Sequence, residues 1–156
     1  MSMSFKTDHG GYASRADIKI GFDSASTWGT KLSQIGKSPN YSMAFVVTTD
    51  IPDVDYAEKV LSKNARITTL DAPESCEPQL RELRKRLPEL GCFAAKEVPV
   101  NLVLLEPYTS WICPGPLAPN KYKDQPISIG IHDSGVRSYL FGALDRTVFN
   151  RAKEII

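Results

Sequence analysis

The run Tyr41–Thr48, YSMAFVVT, constrains the fold more than any other stretch of this chain. It carries no charge and does not alternate between apolar and polar residues, so neither face of the strand it predicts is reserved for water. A strand of that kind sits inside a sheet covered on both sides, the usual arrangement when helices cross over between parallel strands. Val100–Leu105 (VNLVLL) repeats the signal and ends at the break Glu106-Pro107.

The segments around these runs alternate in type. Asp17–Phe22 (DIKIGF) reads as a first strand bounded by Gly21. Ser26 or Thr27 then caps a short helix with Trp28, Leu32 and Ile35 on one face and Gly36 as its stop. After the run at 41–48, Asp53 caps a second helix whose Ala57, Val60 and Leu61 face inward, and Arg66–Leu70 forms a third strand. The order β-α-β-α-β predicts parallel pairing with crossover helices. Leu80, Leu83 and Leu87 mark a helix over Pro78–Leu87, limited by Pro88. Phe93–Val98 reads as a short strand. Residues 106–126 hold five prolines (Pro107, Pro114, Pro116, Pro119 and Pro126) and predict a long excursion with a brief extended piece near Trp111. Ile127–Ile131 (ISIGI) reads as the last strand, followed by an amphipathic helix from Val136 to Ile155 with Val136, Leu140, Ala143, Leu144, Val148 and Ala152 inward. The expectation is α/β: a single three-layer domain over 16–156, its central sheet mostly parallel or mixed with helices on both faces, behind a flexible polar arm at 1–15.

At 156 residues the chain can bury a core without metals or disulfides. A formal net charge of +1 supplies no global field toward nucleic acid or an anionic membrane. Cys76, Cys92 and Cys113 form no CxxC pair, which argues against zinc or thioredoxin chemistry and for ordinary thiols in a reducing compartment. Met1–Gly11 lacks an apolar h-region, and no stretch approaches the roughly 20 apolar residues that span a bilayer. The expected setting is cytoplasmic, without membrane, metal or cofactor.

Few residues suggest chemistry. His132 stands where a strand meets a helix, a place for a general base or phosphate ligand at a helix N-terminus. The commoner outcome there is that Asp133 or Ser134 caps the helix and the histidine stands by. His9 lies in the arm. Small polar residues after the first two strands, Asp23, Ser24, Ser26, Thr48 and Asp50, meet His132 in one ligand site if those strands run parallel. Arg81, Arg84, Lys85 and Arg86 form a basic run, by default a solvated helix face and otherwise a nucleic-acid or partner-protein patch. Cys113, in ICPGP, has no nearby histidine to lower its pKa as a nucleophile requires.

Two stretches carry a family pattern. ADIKIGFDSAS, a helix and YSMAFVVTTD resemble the opening of a phospholipase-D-like domain. ISIGIHDSGVRSYLFGALDRTVFNRA is similar to the last strand and helix of one half of that family, with Ile127–Ile131, Asp133, Val136, Leu140, Phe149 and Ala152 at the matching positions. The resemblance implies a mixed sheet with helices on both sides and pairing of two halves, here a homodimer. Active members carry HxK, with histidine as nucleophile and lysine on the phosphate oxygens. The corresponding region here reads GCFAAKEVPVNLVLLE; Lys96 follows Ala94 by two places, and neither histidine is followed at that distance by lysine. The reading is therefore a non-catalytic phospholipase-D-like binding or regulatory module. The alternatives are a diverged nuclease or phosphodiesterase using His132 with Lys96 or Lys121, and a flavodoxin-like small-molecule enzyme with Cys113 or Asp23 in a pocket.

Overall fold

The structure is a computed structural model and describes residues 19–23 as backbone, together with 28, 32, 42–63, 66–106, 109–119 and 128–156. Among the described residues eight strands form one mixed sheet: β1 (Lys19–Asp23), β2 (Ala44–Val47), β3 (Ile67–Pro73), β4 (Gly91–Ala95), β5 (Asn101–Leu105), β6 (Thr109–Cys113), β7 (Ser128–His132) and β8 (Lys153–Ile155), in the order β1-β7-β6-β5-β2-β3-β4-β8. The helices are α1 (Val54–Ser62), α2 (Glu77–Arg86) and α3 (Ser134–Thr147). Trp28 and Leu32 are also helical and buried. The predicted arm at 1–15 lies outside the described residues.

The strands β2, β3 and β4 pair in parallel, linked through α1 and α2 as parallel neighbours require. The Asp53 side chain caps α1 by accepting from the Tyr56 amide at 2.9 Å. In β2, Ala44 and Val46 face the layer of α1, α2, Trp28 and Leu32, while Phe45 and Val47 face α3. In β5, Val103 and Leu105 face the first layer and Leu102 and Leu104 the second. The unalternating apolar runs thus arise because both faces of these strands are covered. The three-layer expectation holds.

The rest of the sheet departs from the β-α-β-α-β expectation. The first strand does not join β2; it pairs antiparallel with β7 at the far edge. The successive strands β5, β6 and β7 also pair antiparallel. The piece near Trp111 is a full strand, β6, and β3 runs on to Pro73. The predicted helix to Ile155 ends at Thr147. A 3₁₀ turn, Phe149–Arg151, then reverses the chain, and β8 adds to β4 antiparallel. β8 is short and charged at Lys153 and Glu154, a common way to blunt a sheet edge.

Candidate functional site

Register decides which residues meet. β2 ends where β5 begins, because Val47 pairs with Leu102. β6 ends at the same edge, with Cys113 opposite Asn101. At this edge Thr48, fully buried, is the hub. Its Oγ1 donates to the Asp50 carbonyl at 2.8 Å and accepts the Leu117 amide at 2.8 Å. The Asn101 Oδ1 accepts the Thr49 amide at 2.7 Å and the Thr49 hydroxyl at 3.0 Å. One carboxylate oxygen of Asp50 accepts the Ile51 amide at 2.8 Å and faces the Cys76 thiol at 3.4 Å. Burial first, then this carboxylate, pushes the Cys76 thiol up and away from the thiolate form.

The Pro-rich stretch is fastened to the cluster. Besides the Leu117 amide on Thr48, the Gly115 carbonyl accepts the Trp28 indole N–H at 3.0 Å, and Leu117 is fully buried. Replacing Thr48 with valine keeps the shape and leaves the Leu117 N–H buried without a partner. It is expected to destabilise the protein by about 1–3 kcal/mol. The same change should speed proteolytic nicking within 114–119. A Thr48→Val protein that melts and resists protease like the parent would show that the loop is not held here.

The structure brings Thr48 and Asp50 together, with Asn101 and the Leu117 amide, neither of which the sequence singled out. Asp23 ends β1 at the same edge, but β7, β6 and β5 intervene, about 19 Å of sheet width at roughly 4.8 Å per strand. Ser24 and Ser26 lie outside the described residues. His132 does not join the cluster. Because β7 runs antiparallel to β6 and pairs His132 with Thr109, its histidine lies at the opposite edge, some 13–16 Å away along the strands. There the His132 Nδ1 meets the Thr109 hydroxyl, and Asp133 caps α3 by accepting the Val136 amide at 2.9 Å. Lys96 follows β4 on the cluster's edge, so the pairing of His132 with Lys96 does not form. Lys121 is outside the described residues.

The basic run lies on α2, largely matched by acids. Arg86 contacts Asp55 at 2.7 Å, Glu58 at 2.9 Å and Glu82 at 3.0 Å, which raise its pKa further. Arg81 pairs with Glu77 at 2.6 Å, and Arg84 donates to the Pro88 carbonyl. Among the described residues Lys85 alone of the four has no such partner. All three cysteines are buried thiols outside any disulfide. Burial of Cys92 pushes its thiol up to about 11.

No family model matches the chain, and no curated protein matches it in sequence. Solved structures do. Nuc from Salmonella typhimurium, a phospholipase D family member, superposes with a TM-score of 0.59 over 89% of this chain and 97% of its own, at 7% identity. The fold is phospholipase-D-like. NucT from Helicobacter pylori matches this fold with a TM-score of 0.62 over 89% of this chain and 100% of its own, at 8% identity. TrmBL2, an archaeal chromatin protein with a novel mode of DNA binding, matches it with a TM-score of 0.61 over 88% of this chain and 55% of its own, at 10% identity. The phospholipase-D-like reading of the opening and closing segments thus holds for the fold. Among the described residues no helix is long and apolar enough to cross a membrane.

Proposed function

We propose that the chain is a non-catalytic binding or regulatory module on a phospholipase-D-like fold, working as a homodimer. The observation that carries this reading is the composition of the strand-end cluster. Its members are two threonines, an asparagine, an aspartate and a backbone amide, hydrogen-bonded to one another. Such groups bind and orient, and the one thiol that touches them, Cys76 on Asp50, is pushed away from the thiolate a nucleophile requires. His132 stands at the other sheet edge, and no His-x-Lys occurs in the sequence. The homodimer follows from the paired halves that the family resemblance implies.

The test is twofold. Light scattering should give a mass near twice 17.3 kDa. Bis(p-nitrophenyl) phosphate should turn over no faster than in buffer, both with the parent and with His132→Ala. A monomer overturns the paired form. Turnover lost in His132→Ala overturns the non-catalytic reading in favour of a diverged phosphodiesterase.

Nucleic acid is the partner class that the likeness to TrmBL2 favours. Binding to a DNA duplex whose affinity falls steeply between two salt concentrations supports it, because each neutralised phosphate releases counterions. A duplex that fails to bind at low salt removes it.

A further inference from the structure

The face of the sheet under α3 holds a second constellation, separate from the strand-end cluster. Asp71 on β3 is the register partner of Val47 and Phe93, so its side chain points toward α3. It is only 3% exposed. Among the described residues nothing donates a hydrogen bond to its carboxyl or pairs with it. A buried carboxyl without a partner is costly, and native proteins rarely keep one without a use. This one lines a pocket of about 180 Å³ walled by Phe45, Phe93, Phe141 and Phe149, with Asp145 of α3 exposed beside it.

The walls have a definite chemistry. Aromatic faces carry negative potential, and several of them around a carboxylate make a site for an organic cation. Phe45 and Phe141 meet edge to face with centroids 5.7 Å apart, and Phe141 and Phe149 lie 5.5 Å apart. Two of the rings already bear a cation: the Arg137 guanidinium lies 5.9 Å from the Phe45 centroid and 5.0 Å from that of Phe141. Arg137 is itself held by Glu106. It leaves the Asp71 carboxyl without a counter-charge. A pocket of this size, about six water volumes, is below the roughly 300–1,000 Å³ of drug-sized sites and suits an ion of a few heavy atoms.

We propose that this pocket binds a small free organic ammonium ion, with the Asp71 carboxylate as counter-charge and the phenylalanine faces as walls. The site stands independently of the strand-end cluster and of the homodimer.

Tetramethylammonium at pH 8, followed by amide chemical shifts of the whole chain, is the probe. Saturable shifts are expected at residues 70–72, at Phe93 and over 141–149. Asp71→Asn should weaken the affinity about tenfold or more, and Asp145→Asn, at an exposed position where folding is not at stake, about twofold. The neutral isostere tert-butanol should bind about tenfold more weakly than the cation. Equal binding of tert-butanol, or unchanged affinity in Asp71→Asn, overturns the cation site, as does the absence of shifts at these amides. A trimethyllysine peptide binding no tighter than tetramethylammonium supports the free ion. Tighter binding of the peptide overturns that form and gives the pocket to a protein side chain.

Discussion

Asp71→Asn is expected to stabilise the protein at alkaline pH and to flatten its stability against pH. Burial pushes the Asp71 carboxyl up to about 7 from 3.8. Between those values the native state keeps a proton that the unfolded chain has lost. Since stability rises with pH only where the unfolded state binds more protons, here it falls as pH rises from about 4 to about 7 and stays at the lower level above that. At about 1.4 kcal/mol per pKa unit, the loss is on the order of 4 kcal/mol. Asparagine has nearly the same shape and no charge to desolvate. Near pH 4.5 the two proteins should unfold at similar urea concentrations. At pH 8 the variant should gain several kcal/mol, less about 1–3 kcal/mol if its amide finds no partner. For a chain of this length each kcal/mol moves Tm by about 2–4 °C. Burial alone raises the Asp71 carboxyl; of the other charges around the pocket, Asp145 is exposed on α3 and Arg137 is engaged with Glu106. Parallel pH profiles for parent and variant would show that Asp71 is not the group responsible.

The opposite effect is expected at Gly130. A Cβ built there lies 2.6 Å from two atoms of the Trp111 ring, its partner across the β6–β7 ladder. The indole lies over the glycine where a side chain would stand, as aromatic residues do over glycines in strands. Alanine in place of glycine gains about 0.5–1 kcal/mol from a less flexible unfolded chain. Overpacking costs about 1–3 kcal/mol, and the wide, rigid indole cannot fold aside like a lysine tip. The clash therefore wins. Gly130→Ala should destabilise by about 1–2 kcal/mol, and Gly130→Val by about 3 kcal/mol or more. Pairing Gly130→Val with Trp111→Leu should recover part of the loss in urea unfolding. A valine variant as stable as the parent would mean that the ring has another seat.

These two sites show how unevenly the sequence reports the structure. AFVV and NLVLL were legible because strands covered on both sides leave an unbroken apolar signature. Asp53 was legible because an N-cap is a local event, and the same signal narrowed the cap of α3 to Asp133 or Ser134, of which the structure uses Asp133. Strand direction was not, since nothing in ISIGI states which neighbour it will have. Once β7 lies antiparallel to β6, His132 leaves the edge that holds Thr48 and Asp50. β8 was hidden because Val148 and Ala152 continue the helical spacing of α3, while three strand residues are too few to announce a period of two. Asn101 was within reach as the single polar residue in VNLVLL. Its meeting with Thr49 and that of Leu117 with Thr48 depend on sheet order, which no local pattern encodes. Asp71 hid in the same way, a lone carboxylate just past a strand predicted to stop at Leu70.

The position of β1 also governs when the chain can finish folding. Lys19 finds its ladder partner at His132, so β1 leaves the ribosome more than a hundred residues ahead of the strand it pairs with. At about 5–20 residues per second, that lead is roughly 6–20 s. Over that time β2, α1, β3, α2 and β4 can assemble from local contacts while β1 has no neighbour to pair with. A nascent chain stalled before β7 should therefore protect the amides of β3 from hydrogen exchange and leave those of β1 open.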